Sequence, residues 1–180
     1  MRKFILSTFG LLYIFLFTIT ETHAQDSLRF PTPTGNPNQL FFLQRTQNIN
    51  TIVYELNMKN GVMDTTDPVH IFWICYAEKS QKEELTGVQR KYAYGLATKC
   101  LSKDHYELRF LANKKYAVEL SKGPDNKYHV YGLISNKQAI LSKIYLQIHG
   151  GTVFSPHIEY VILTGIDSDS GAEVFEKKNI

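Results

Sequence analysis

Short apolar runs and short polar breaks alternate along most of the chain. From residue 39 onward the runs are rich in Val, Ile, Tyr, Phe and Thr, and Gly, Asn, Asp or Pro residues separate them. Runs of this kind at a spacing of roughly 8 to 12 residues are typical of an antiparallel β fold, because βαβ units would place a helical pattern between successive strands. The pattern predicts nine strands, at residues 39–45, 51–58, 69–77, 106–111, 116–121, 128–134, 139–149, 157–166 and 172–177.

Alternation inside the runs indicates which strand faces are buried. In the run 139–149, Ile140 and Ile148 share one parity while Lys143 lies on the other, which predicts a strand with one buried and one solvated face. In the run 70–76 both parities are apolar, so this strand is expected in mid-sheet. The chain is therefore predicted to be mostly β: a single-domain antiparallel β-sandwich or barrel-like fold of about nine strands with one short helix.

The predicted helix interrupts the series of strands. Ser80 and Glu83 have the spacing of a capping box, and apolar residues follow at helical intervals. The helix is expected at residues 81–94, and Gly95 is expected to end it in the left-handed conformation.

The amino-terminal residues have the pattern of an export signal. A basic start, an apolar stretch over residues 4–19 and a small-residue cleavage site at 22–24 predict that residues 1–24 are a signal peptide. Residues 25–39 are dense in proline and are expected to form an extended lead-in, and residues 40–180 a single β domain. The mature protein is thus expected in the periplasm or secreted, without a stable membrane span, and an uncleaved leader acting as an anchor is the alternative.

Charge and composition narrow the function classes. The net charge is only +3 and no run of basic residues occurs, which argues against nucleic acid as a partner. The α/β-hydrolase elbow Gly-x-Ser-x-Gly does not occur, and no motif selects a nucleophile. The histidines lack the spacing of a metal site, so neither a metal nor another cofactor is expected. The segment DSDSG at 167–171 resembles the first half of a calcium-binding loop, with alternate aspartates followed by a glycine. A hairpin turn explains the same residues without an ion.

Four short segments occur in a fixed order: LFFLQR at 40–45, NINTIVY at 48–54, PVHIFW at 68–73 and QRKYAYG at 89–95. Together they resemble an exported bacterial family known as domain of unknown function 4833, and the likeness covers most of residues 30–177. The resemblance implies a single exported domain. It brings no activity and no functional residue.

Two cysteines and one polar-aromatic set are the candidate sites. In an oxidising compartment Cys75 and Cys100 can form one disulfide, but the apolar run around Cys75 argues against it and favours a buried free thiol. The polar-aromatic set can hold a sugar or a carboxylate through forked guanidinium donors, amides and a flat ring, although turn and helix-end roles also explain it. Its members are Arg45, Asn48, Asn50, Arg90, Lys91 and Tyr94.

Two function classes follow from these observations. The leading hypothesis is a non-enzymatic cell-envelope or periplasmic domain that binds an unknown envelope ligand or protein partner. An architectural component with an exposed edge strand would be indistinguishable from it in sequence. The alternative is a small envelope hydrolase whose site is assembled from distant residues, with His70 or His149 beside a carboxylate or hydroxyl.

Overall fold

Eleven strands of one mixed sheet curl into a half-barrel in the computed structural model, which describes residues 30–46, 48–152 and 155–180. A separate two-stranded hairpin, β3 with β4, lies outside this sheet. The strands in chain order are β1 (Gln39–Arg45), β2 (Asn48–Leu56), β3 (Met58–Lys59), β4 (Val62–Met63), β5 (Val69–Cys75), β6 (Gln81–Glu84), β7 (Leu96–Ser102), β8 (His105–Phe110), β9 (Asn113–Lys122), β10 (Tyr128–Ile134), β11 (Lys137–Gly151), β12 (Pro156–Asp167) and β13 (Glu173–Asn179).

The long strand β11 is the point at which the sheet divides. Strand β12 pairs along one edge of β11 from Ala139 to Gly151. The other edge therefore carries both remaining neighbours, β10 beside residues 137–140 and β1 beside residues 143–146. Beyond β11 the sheet separates into a first wing of β1, β2, β5 and β6 and a second wing of β10, β9, β8 and β7.

One strand pair departs from the predicted antiparallel arrangement. Strand β1 runs parallel to β11, with Phe42 opposite Lys143, while the other pairs of the sheet are antiparallel. Parallel neighbours need a long connection, and here most of both wings lies between the two strands in the sequence. The mostly β fold of about nine strands with a short helix is confirmed.

The core fills the space between the wings. Phe41 and Tyr54 of the first wing stack at 4.2 Å between ring centroids, and Phe110 of the second wing meets both rings edge-on at 6.1 and 6.0 Å. Leu108 and Leu141 have no exposed surface. The two wings therefore share one core instead of forming two separate ones.

The outer face of the first wing also buries apolar side chains. Phe42, Val53 and Phe72 form a cluster there, so β5 is covered on both faces, as its sequence predicts. Residues 30–38 run along this face, where Gln44 Nε2 donates to the carbonyl of Pro31 and the side chain of Asn36 to Glu55. The described part of the proline-rich segment is thus held against the sheet.

All nine predicted strands are present, and two of them, β1 and β10, have the predicted bounds. Four short or exposed strands were not predicted as separate strands: β3, β4, β6 and β7.

The helix prediction was wrong in its position. Residues 81–84 are strand β6, which pairs with β5, and the helical segment begins only at Gly87. The capping box is formed by Thr86, whose Oγ1 accepts from Gln89 N while the Gln89 side chain accepts from Thr86 N. Ser80 is instead a left-handed turn residue, with φ of 61°. Strand pairing with β5 thus outweighs the capping-box pattern that begins at Ser80. The capping box forms instead six residues later, at Thr86. The α-helical residues are Gly87–Gln89, and a π-helical turn follows at Arg90–Tyr94.

Gly95 also differs from its prediction. Its backbone is extended, with φ of −68°, so it does not provide a left-handed exit. A Cβ at this position would lie 2.0 Å from the carbonyl oxygen of Arg90, and close backbone approach is therefore what favours glycine here.

The predicted signal peptide, residues 1–24, lies outside the described residues. Within the part of the chain that the structure describes, no helix has the length and apolar character needed to span a membrane.

Candidate functional site

Arg45 is the charged residue at the end of a buried row on the inner face of β1. Phe41 and Leu43 precede it at the alternate positions that point into the core. Its guanidinium carbon lies 5.4 Å from the ring centroid of Trp73 and 5.9 Å from that of Tyr94. A guanidinium at these distances from aromatic faces is attracted by their π electrons, so the two rings hold Arg45 in place.

Tyr94 reaches this position because the helical segment is tied to the sheet. The hydroxyl of Tyr54, fully buried on β2, donates to the carbonyl oxygen of Tyr94 over 2.9 Å. Burial raises the pKa of the Tyr54 hydroxyl, so it remains a donor. Burial also raises the pKa of Tyr94, against the opposing effect of Arg45. Both phenols are therefore neutral at physiological pH.

Two enclosed donors at this point have no acceptor among the described residues. They are Nε of Arg45 and Nε1 of Trp73. Among the described arginines, Arg90 and Arg109 each lie near a glutamate, at 3.9 and 2.7 Å, whereas no described carboxylate lies within 4.0 Å of Arg45. Within the described part of the chain, the half-buried cation of Arg45 is thus stabilised by the aromatic rings of Trp73 and Tyr94.

Arg45 lines an open depression of about 250 Å³. Described residues from two places border it: Thr46 and Asn48 at the facing ends of β1 and β2, and residues at the facing ends of β11 and β12. Thr46 joins them, since its Oγ1 accepts from Ile148 N over 2.6 Å and its N donates to Leu146 O over 3.0 Å. We call this region the Arg45 depression. Its lining residues are Arg45, Thr46, Asn48, Ile148, Gly150, Gly151, Thr152 and Pro156.

The structure brings together three of the six residues predicted to bind a ligand. Arg45 and Asn48 line the depression, and Tyr94 supports Arg45 from the core side. Asn50 lies nearby, but its Oδ1 accepts from Ala77 N over 3.1 Å and it does not line the depression.

The other two predicted residues lie elsewhere. Arg90 faces Glu84, and the ammonium of Lys91 lies 5.0 Å from the ring centroid of Tyr92. Both are on the outside of the helical segment, away from the residues that line the Arg45 depression.

Sequence reasoning missed the partners that come from distant strands. Trp73 was interpreted only as part of an apolar central strand, although it is the single tryptophan. Thr46 and the Gly150–Gly151 pair had no signal beyond turn composition. Thr46 reaches Leu146 and Ile148 only through strand pairing across about a hundred residues.

His70, the residue suggested for a hydrolase, belongs to an ion-pair network on the outer face. Its Nδ1 lies 2.8 Å from Glu55 and its Nε2 2.9 Å from Glu84. Burial raises the pKa of Glu55, but hydrogen bonds from His70, Lys82 and Asn36 outweigh it and lower the pKa. Both ring nitrogens thus face carboxylates, and within the described ranges no hydroxyl or thiol bonds to His70. The network fastens Asn36 of the lead-in to the sheet.

His149, the other histidine suggested for a hydrolase, is exposed in the last part of β11. It makes no side-chain hydrogen bond to the residues whose positions are described.

The two cysteines are free thiols in the structure. Cys75 is buried on the inner face of β5, whereas Cys100 is exposed on the edge strand β7. Burial, followed by the nearby Glu83, raises the pKa of the Cys75 thiol. The disulfide between Cys75 and Cys100 stays a prediction.

The segment 167–171 forms the turn between β12 and β13. Oδ1 of Asp167 accepts from the backbone N–H groups of Asp169 and Ser170, and its Oδ2 lies 2.9 Å from Lys137 Nζ. Backbone donors and a lysine thus satisfy the carboxylate. Among the residues described, no three His, Cys, Asp or Glu side chains are grouped to hold a metal ion.

Fold and site together define a curled-sheet β domain with a donor-lined depression at one corner. The chain belongs to the family described as Domain of unknown function (DUF4833), whose model matches residues 41–177. The resemblance seen in the sequence is thus confirmed. Comparison with curated proteins and with solved structures gives no match. The four segments that carry the resemblance supply β1, β2, β5 and the helical segment, which position Arg45, Trp73 and Tyr94.

Proposed function

We propose that this protein is a non-enzymatic, exported binding domain of the bacterial cell envelope that holds a small polar ligand in the Arg45 depression. The export signal over residues 1–24 supports the location, and the depression supports the binding role.

The state of Arg45 is the observation that carries this proposal. Partial burial of a charge is costly unless it is paired, and the described residues leave Arg45 without a carboxylate. The cation–π contacts with Trp73 and Tyr94 offset only part of this cost, at about 0.5 to 2 kcal/mol. A ligand that offers acceptor oxygens to Arg45 would supply the missing interaction.

The single tryptophan provides the test. Trp73 touches Arg45, so a ligand in the depression is expected to change its fluorescence emission in a saturable way. We expect at least one compound from a screen of sugars, sugar acids, amino acids, short peptides and phosphate esters to produce this change, with a matching heat of binding in calorimetry.

Arg45→Gln is expected to abolish the fluorescence response. The matched control is Arg109→Gln on the outer face of the second wing, where the guanidinium bonds Glu107 far from Trp73, and its response should equal that of the wild type. A screen without any saturable response, or an equal response in Arg45→Gln, would contradict the proposed function.

A further inference from the structure

We infer that the ligand of the Arg45 depression is a small organic carboxylate, bound as a monoanion by the guanidinium of Arg45. This inference deepens the proposed function and rests on it. The hydrogen-bonding capacity left in the lining residues carries the argument.

The acceptor oxygens of the lining side chains each already accept a backbone hydrogen bond. Oδ1 of Asn48 accepts from Asn50 N over 2.8 Å, and Oγ1 of Thr152 accepts from Ser155 N over 3.0 Å. Oγ1 of Thr46 accepts from Ile148 N. The lining groups that have no partner at all among the described residues are donors: the side-chain NH₂ of Asn48, the hydroxyl hydrogen of Thr152 and the terminal amino groups of Arg45. A matching ligand therefore offers acceptors at the point of contact.

Charge favours a carboxylate over a phosphate. Among the described residues, the lining contains one cation, Arg45, and no acidic side chain. A carboxylate carries one negative charge and matches the planar fork of a guanidinium, so a single arginine neutralises it. A phosphate monoester carries roughly −1.5 to −2 at neutral pH and would keep about half of its charge without a partner.

Size and apolar contacts limit the rest of the ligand. The depression, at about 250 Å³, lies just below the range of roughly 300 to 1,000 Å³ typical of sites for drug-sized ligands. Ile148 and Pro156 offer apolar contact for a short carbon skeleton. A molecule the size of one sugar ring or a dipeptide fits these limits.

The first experiment uses pairs of probes that differ in the carboxylate. Galacturonate is compared with galactose and galactose 6-phosphate, and N-acetyl-dialanine with its amide, by calorimetry and Trp73 fluorescence. We expect at least one acid to bind, and its neutral and phosphorylated counterparts to bind at least tenfold more weakly. Equal binding of the neutral member, tighter binding of the phosphate, or binding of neither acid would overturn the inference. The proposed function would survive these outcomes if the broader screen finds another ligand.

The second experiment tests whether the carboxylate binds beside Arg45, by changing the neighbouring lining residue Asn48. Asn48→Asp keeps the acceptor for Asn50 N but replaces the NH₂ donor by a negative charge, so we expect at least tenfold weaker binding of the acid. Asn50→Asp is the matched control, because its oxygen still accepts from Ala77 N and the residue does not line the depression. Its binding should stay within threefold of the wild type. Equal affinity in both variants would overturn the assignment of the site, and unchanged thermal melting of each variant shows that folding is intact.

Discussion

Asp167 at the end of β12 shows how one residue stabilises a turn. Its carboxylate, 5% exposed, lies beside Lys137 and accepts two backbone N–H bonds. The hydrogen bond from Lys137, then those from Asp169 and Ser170, lower its pKa far below the ordinary value. Ionised Asp167 is therefore bound more favourably in the folded chain than in the unfolded chain, and its contribution to stability depends on pH.

We predict that this contribution is complete above about pH 5 and is lost as the pH falls below the unfolded-state pKa of about 3.9. Asp167→Asn removes the ion pair with Lys137, so its melting temperature should be lower than that of the wild type above pH 5. The difference should shrink progressively below pH 4, because Asp167 of the unfolded wild type binds a proton there while the folded chain keeps its carboxylate ionised. Thermal melts followed by circular dichroism from pH 2.5 to 7 measure this difference in melting temperature.

Asp169→Asn is the control for this prediction, because the Asp169 side chain is exposed and only its backbone N–H takes part in the turn. It should show no such trend. A difference between wild type and Asp167→Asn that stays constant over the whole pH range would contradict the linkage.

At the level of single residues, the sequence could name Arg45, Asn48 and Tyr94 because their chemistry is visible in their type. It could not name Trp73 or Thr46 as their partners, because those contacts arise from pairing between strands that are distant in the chain. The same limit applies to Arg90, whose helical position gives no indication that it points to Glu84.

The helical segment at 87–94 depends on close backbone packing at its end. Because a Cβ at residue 95 would meet the backbone carbonyl of Arg90 at 2.0 Å, Gly95→Ala should lower the free energy of unfolding by about 3 kcal/mol. Urea titration followed by circular dichroism measures it.

Gly87→Ala serves as the control within the same helical segment. No atom lies within 4 Å of a Cβ there, so the better helix propensity of alanine should leave stability unchanged or raise it by up to about 1 kcal/mol. Equal effects of the two substitutions would contradict the role assigned to Gly95.

Among the elements, the sequence predicts the strands whose two faces differ. Apolar alternation marks β11, but the parity of its core face changes where the register shifts: Ala139 and Leu141 face the core before the shift and Ile144 after it. The prediction of one buried parity along the whole strand was therefore wrong at Ile140, which is only partly buried. The edge strands β6 and β7 are exposed along almost their whole length, so no apolar period marks them. The predicted helix wrongly included residues 81–84 for the same reason. The sequence QKEE does not indicate that this segment pairs with the edge of β5.

The shared strand β11 should make the whole molecule unfold as one unit. Leu108 of the second wing is fully buried, and Leu108→Ala should cost about 2 to 5 kcal/mol. Both wings share one core and one strand. The unfolding midpoint followed by the fluorescence of Trp73, in the first wing, should therefore fall by as much as the midpoint followed by far-ultraviolet circular dichroism.

Leu101→Ala, at a position 44% exposed on β7, is the matched control and should leave both midpoints within about 1 °C of the wild type. An unchanged midpoint of Trp73 fluorescence in Leu108→Ala, together with an additional circular dichroism transition at lower temperature, would show that the wings unfold as independent units.

The parallel pairing of β1 with β11 also determines when the Arg45 depression can form. Its two borders are joined by Thr46 and Leu146, which are 100 residues apart in the chain. Closing so long a segment costs more conformational entropy than forming the local hairpins, so this corner assembles late in folding. Hairpins such as β1–β2 and β8–β9 can exist in partly folded chains, whereas the Arg45 depression is expected in the native state alone. A bound ligand would consequently stabilise only the completed fold and select it over every intermediate.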